Sequence, residues 1–166
     1  MTVHIHAQSI VDQITHPTCN VGVSRRLVIG ILVFALILAV SEENGLEYNQ
    51  LFDKSVNKEK FIEYLINLRN ANLFKRIAIY MDNLSVHKAV LVREKMAELK
   101  IEALMNVPYQ PDYNPCESCN SKIKNYYKRT KLNRLVNEQE VNWKDLIAES
   151  VNQLSKNDII NSVKWS

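Results

Sequence analysis

Cysteine, glycine and proline are all scarce in this chain of 166 residues, at three, three and four copies. Three cysteines (Cys19, Cys116 and Cys119) are too few, and odd in number, for a secreted disulfide framework, so a reducing compartment is expected. So little glycine and proline excludes collagen and low-complexity chains. Neither sign of charge dominates, because 21 Lys and Arg face 18 Asp and Glu for a net charge of +3. Total charge therefore predicts no partner, and its distribution along the chain matters more. No short apolar stretch is followed by a small-residue cleavage site, so secretion is not expected. What is present is ordinary globular composition, 46% apolar and 23% charged. The length suits one domain with a core that needs no metal or disulfide staple.

One segment challenges a soluble reading. Leu27 to Val40 is an uninterrupted run of apolar residues and glycine, with Arg25-Arg26 before it and Glu42-Glu43 after it. That charge asymmetry is the mark of a signal anchor. At 14 residues the run falls short of the roughly 20 a spanning helix needs. Its mixture of Ile, Leu, Val and Phe suits a central strand buried on both faces, and membrane anchoring is the weaker alternative. Asn44-Gly45 next predicts a hairpin into a strand beginning near Leu46.

Residues 1–24 read poorly. Val3 and Ile5 alternate with His4 and His6 in a short strand-like pattern, and His16-Pro17-Thr18 suggests a turn. From Asn57 the period changes, with Phe61, Tyr64, Leu65 and Leu68 forming the stripe of an amphipathic helix. Arg76 to Met81 reads as a strand ending at Asp82-Asn83. A helix capped by Ser85 follows, with Ala89, Val92, Met96 and Leu99 at helical spacing. Ile101 to Val107 is a further strand, and residues 108–115 form a loop with three of the four prolines. A basic helix opens near Cys116, and a last helix covers Trp143 to Leu154. A hairpin feeding alternating helices and strands is an α/β three-layer pattern.

Two acids stand out by position. Asp82 lies at the C-terminal end of a predicted buried strand, the edge where sites gather in open α/β sheets. Glu117 opens the basic helix, with 34 residues between the two. Two such carboxylates can converge on a hard cation such as Mg²⁺, which keeps waters for a phosphate substrate. Spacing alone leaves a second reading open, in which both are separate surface acids and Glu117 complements the helix dipole.

The surrounding residues add to this. Ile79-Tyr80-Met81-Asp82-Asn83, His87, the run Pro108-Tyr109-Gln110-Pro111-Asp112-Tyr113-Asn114-Pro115-Cys116-Glu117, and Ile123-Lys124 together resemble the catalytic domain of the mariner-type DDE transposases. The resemblance covers residues 25–166 as one catalytic domain and leaves 1–24 as a poorly defined segment. It implies an α/β, ribonuclease-H-like fold, a mixed sheet flanked by helices, with Asp82 and Glu117 as the second and third catalytic acids. It also implies Mg²⁺ or Mn²⁺ as cofactor and DNA, both transposon ends and target, as partner. It leaves room for a homodimer, expects no membrane, and points to the nucleus in a eukaryote or otherwise the cytoplasm. Cys116 and Asn120 depart from the family's apolar and aromatic residues. The family's first acid, which ends its first strand, has no clear counterpart. Either Asp12 fills that place or the first strand lies upstream of Met1, with the family's DNA-reading helix-turn-helix.

Three features remain. Cys116-x-x-Cys119 could mark zinc or redox chemistry, but a closed zinc site needs four ligands, and packing explains the pair better. His87 could act as a ligand or base, although a solvated or hydrogen-bonded histidine is the commoner case. From Ser118 to Asn137 there are six cations and no acid: Lys122, Lys124, Lys128, Arg129, Lys131 and Arg134, with Tyr126 and Tyr127 interleaved. This reads as a phosphate-backbone track led by Lys122, Lys124, Lys128 and Arg129. The expected activity is metal-dependent hydrolysis of a DNA phosphodiester followed by strand transfer. The alternative is an inactive transposase remnant that only binds nucleic acid or a partner.

Overall fold

The computed structural model describes residues 2–17, 29–81, 85–105 and 115–164, and only the backbone in 2–17, 29–34, 115, 163 and 164. Five strands form one mixed sheet: β1 (Thr2–Pro17), β2 (Ile29–Ser41), β3 (Gly45–Phe52), β4 (Arg76–Met81) and β5 (Ile101–Met105), in the order β3-β2-β1-β4-β5. β2 pairs antiparallel with β1 and with β3, while β4 runs parallel to β1 and to β5.

The apolar run behaves as a central strand. Ala35 to Val40 are at most 2% exposed. Ile37 and Ala39 enter one core with Phe61, Tyr64, Leu65 and Leu68, while Leu36, Leu38 and Val40 enter the other with Cys116, Cys119 and Ile123. A strand covered on both faces has no polar face to show, hence the unbroken hydrophobicity. No described helix is long and apolar enough to cross a membrane. Asn44-Gly45 makes the expected turn, with Gly45 at φ +80° and a Cβ there only 3.3 Å from Lys156 Cγ.

Residues 2–17, which the sequence left as a poorly defined segment, are instead the middle strand of the sheet, so the first strand is present. Thr2 to Ala7 pair with Arg76 to Met81, and only His6 and Ala7 among them are also paired with β2. From Gln8 onward the pairing is with β2 alone, as far as Pro17 opposite Ile29. Polar residues such as Asp12, Gln13 and His16 hide this strand from a hydrophobicity pattern, and pairing across the sheet overrides their weak propensity.

Helix α1 (Lys58–Ala71) has the expected buried stripe and is capped by Asn57, whose side chain accepts from Lys60 N at 3.0 Å. The single helix expected from Ser85 to Leu99 is two: α2 (Ser85–Lys88) and α3 (Val90–Glu98), parted by Ala89 at an extended ψ of 137°. Helix α4 (Pro115–Val136) and α5 (Trp143–Asn152) stand where expected. The sequence reading missed α6 (Lys156–Lys164), although its start carries a capping box. Ser155 Oγ accepts from Asp158 N at 3.1 Å, and Asp158 Oδ2 accepts from Ser155 N at 3.3 Å. Helices α1 and α3 cover one face of the sheet, and α4, α5 and α6 the other.

Candidate active site and basic helix

Asp82 is bonded to Met81, the last residue of β4, and lies outside the described residues together with Asn83 and most of the Pro-rich loop. The register of β1 fixes what lies beside that strand end. Ala7 is paired with Met81, so Gln8 is the next residue along β1. Asp12 is five residues past Ala7, paired with Phe34 of β2. At about 3.3 Å per residue it stands roughly 17 Å further along the sheet. Asp12 is therefore not the residue of β1 that stands beside the end of β4; Ala7 and Gln8 are.

Glu117 lies in the first turn of α4, solvent-exposed, where the unsatisfied N–H groups favour an anion. Its neighbours Cys116 and Cys119 are fully buried among Leu36, Leu38 and Leu146. Burial pushes the Cys119 pKa up, which favours its protonated thiol. Packing, as the sequence suggested, accounts for the Cys-x-x-Cys. His87 is buried at 3% exposure with its ring 4.5 Å from Phe61, a core position rather than a solvated one. Among the described residues no three His, Cys, Asp or Glu side chains form a metal-binding group.

The basic helix is sorted by its neighbours into two flanks. Lys122 Nζ donates to Asp158 Oδ1 of α6 at 2.7 Å, and Arg134 pairs with Glu149 of α5. Tyr126 also donates to Glu149, at 2.7 Å. These contacts, Tyr126 first, hold the Glu149 pKa down. Lys122, with Ser155, holds Asp158 at about 2. Two of the six cations thus have counter-charges supplied by distant sequence. Arg129, one i+7 step from Lys122, shares its flank and is exposed. Lys124, Lys128 and Lys131 follow Glu117 at i+7, i+11 and i+14. At about 3.6 residues per turn these positions make one row. Among the described residues no carboxylate lies within ion-pair distance of that row's lysines. Of the DNA-contact residues expected from sequence, Lys124 and Lys128 stand in line with Glu117, Arg129 is on the other flank, and Lys122 is held by Asp158. The sequence reading counted Lys131 among the cations but gave it no place in the track, and only the helix phase singles it out.

A sheet ordered 3-2-1-4-5, with its first three strands antiparallel and the last two parallel to the first, is a ribonuclease-H-like fold. The family model described as DDE superfamily endonuclease matches residues 32–139, more than half of the chain, and the chain belongs to that family. Among solved structures it is similar to the catalytic domain of the Mos1 mariner transposase, with 17% identity, a TM-score of 0.65, and coverage of 97% of this chain and 75% of that one. The Mos1 catalytic domain with raltegravir and Mn gives 18% identity, TM-score 0.64, and coverage of 97% and 76%. The Mos1 paired-end complex with the left transposon end gives 18% identity, TM-score 0.66, and coverage of 97% and 51%. The chain thus spans about half the length of the transposase in that complex. At these identities the likeness is one of fold. A comparison with curated proteins gives no match.

Proposed function

We propose that this chain is the catalytic domain of a mariner-type transposase, built for metal-dependent hydrolysis of a DNA phosphodiester and attack of the freed 3′-OH on a target phosphodiester, whose own 3′-oxygen leaves. The observation that carries the reading is the row on α4, with Glu117 at its head and Lys124, Lys128 and Lys131 behind it. Asp82 and Glu117 are hard oxygen donors of the kind Mg²⁺ or Mn²⁺ takes, and two carboxylates suit one ion that keeps its waters. Such an ion would supply Lewis-acid stabilisation of charge on the phosphate and an activated water. The protein's own share is positioning. The positive end of α4 and the lysine row hold the DNA backbone, over about 10 Å from Glu117 to Lys124 and as much again to Lys131. The contacts are to phosphate, so they read no sequence.

A second reading has its own support. Ala7 and Gln8 occupy the part of β1 beside the end of β4, and neither can supply the carboxylate that a second ion needs. On that reading the chain binds DNA and one metal ion without cutting. The test is cleavage of a labelled duplex in Mg²⁺ and Mn²⁺, run beside a binding series in salt. Cleavage lost in Asp82→Asn and Glu117→Gln supports the first reading. Salt-dependent binding without cleavage selects the second, and absence of both overturns the DNA reading altogether.

A further inference from the structure

The opposite end of β4 carries a second cationic surface. A cleft of about 470 Å³ opens between the α1–β4 and α3–β5 connections, lined by Arg69, Lys75, Arg76 and Lys100 with Ile77, Ala97, Ile101 and Glu102. The lining holds four cations and one acid, and Glu47 outside it reaches Lys75. Arg76 leans on Glu102 at 3.6 Å with both side chains exposed, and Lys75 approaches Glu47 at 3.6 Å. Among the described residues Lys100 has no acid within ion-pair distance. The cleft is five residues along β4 from Met81, about 17 Å, so it is separate from the Asp82 end of the sheet.

Two features show that this edge is built. The first is Phe74, which is fully exposed at 101% with Leu73 beside it at 59%. The turn bearing it is held by hydrogen bonds. Arg69 Nη1 donates to Lys75 O at 2.9 Å and Nη2 to Leu73 O at 3.0 Å, gripping the carbonyls on both sides of Phe74. Buried Asn72 donates to Leu68 O at 3.2 Å and closes the turn from below. An aromatic ring held in water by such a clamp gains nothing from the fold. The second is Lys100, which ends α3 with φ +55°, the left-handed conformation that glycine takes at this place in most helices. A non-glycine residue there is strained, and here the strain puts a lysine at the mouth of the cleft.

We propose that the cleft of Arg69, Lys75, Arg76 and Lys100, with Phe74 beside it, is a second DNA-binding surface, taking a phosphate backbone in the cleft and a base against the Phe74 ring. The charge selects a polyanion, and a lone protruding ring among cations suits nucleic acid, whose bases offer a face for stacking or a step for a wedge. The inference rests on the reading that this chain handles DNA. It adds that the chain grips DNA at two separate ends of its sheet.

Fluorescence anisotropy of the full chain with a short labelled duplex, over a salt series, tests it. Arg76→Gln with Lys100→Gly removes two cations, and glycine suits the backbone at position 100. The plot of log affinity against log salt should become shallower by about 1.8, at roughly 0.9 per lost contact. Phe74→Ala should weaken binding about tenfold while leaving that slope unchanged, because stacking releases no counterion. Alanine at Lys124, Lys128 and Lys131 should flatten the slope further when combined with the cleft variant. A wild type that binds, with both cleft variants matching it in slope and affinity, overturns this proposal and leaves the α4 reading standing. A wild type that binds no duplex overturns both. A Phe74→Ala variant that changes the sedimentation of the chain but not its DNA affinity assigns the turn to a second copy and overturns the proposal.

Discussion

Lys122 Nζ lies 2.7 Å from Asp158 Oδ1, and this contact engages a lysine that stands on the other flank of α4 from the Glu117 row. The pair is exposed, so it is weak as a stabilising interaction. Its consequence is for the field of α4. Replacing Lys122 with Gln should change the salt dependence of DNA binding little, whereas Lys124→Gln or Lys128→Gln should each lower the slope by about 0.9. Asp158→Asn should do the reverse and raise the slope by up to about 0.9, by releasing Lys122. Equal effects of Lys122→Gln and Lys124→Gln would show that the row is not the track.

The same pair sets a pH dependence. Lys122, with Ser155, holds the Asp158 carboxyl at about 2, below its ordinary 3.8. A depressed carboxyl contributes stability that is present above the unfolded value and lost as pH falls through the folded one. Thermal melts of the wild type should therefore lose this contribution between about pH 4 and pH 2. Asp158→Asn should lower the melting temperature at pH 7 and show a smaller fall across that window. Parallel curves for the two proteins would remove Asp158 from the acid response.

Metal should stabilise the fold through Asp82 and Glu117. An ion that binds only the native state raises its stability by mass action. Melting temperature should rise with Mg²⁺ or Mn²⁺ in the wild type, and the rise should vanish in Asp82→Asn and in Glu117→Gln. Asp12→Asn should keep it, because the register of β1 sets Asp12 too far along the sheet. Loss of the metal response in Asp12→Asn alone would refute that placement.

Among the described residues the hydroxyl of fully buried Tyr64 finds no hydrogen-bond partner. Burial pushes its pKa well up, so it stays neutral throughout the working range. A buried polar group without a partner costs roughly 1–3 kcal/mol, while the ring packs against Phe61 at 6.0 Å and Tyr48 at 5.6 Å. Tyr64→Phe keeps the ring and removes the hydroxyl. Denaturant unfolding should show a gain of about 1 kcal/mol. A loss of stability instead would mean that the hydroxyl is satisfied, by water for example.

Much of this protein is legible in the order of its residues. The apolar run of β2, the Asn44-Gly45 turn and the stripe of Phe61, Tyr64, Leu65 and Leu68 are local patterns, and each becomes the element its period requires. The motif from Ile79 to Lys124 is likewise contiguous enough to mark the family. What only the tertiary structure decided depends on pairing between distant segments. The polar strand β1 exists because β2 and β4 flank its backbone, and its register leaves Ala7 and Gln8, not Asp12, beside the end of β4. The six cations of α4 look equivalent along the chain until Asp158 and Glu149 arrive from α6 and α5 and pair with Lys122 and Arg134. Lys75 and Lys100 lie 25 residues apart in sequence, and they line the same cleft because β4 and β5 pair side by side. Hydrophobic period is a property of neighbours in sequence, whereas charge pairing and strand register belong to neighbours in space.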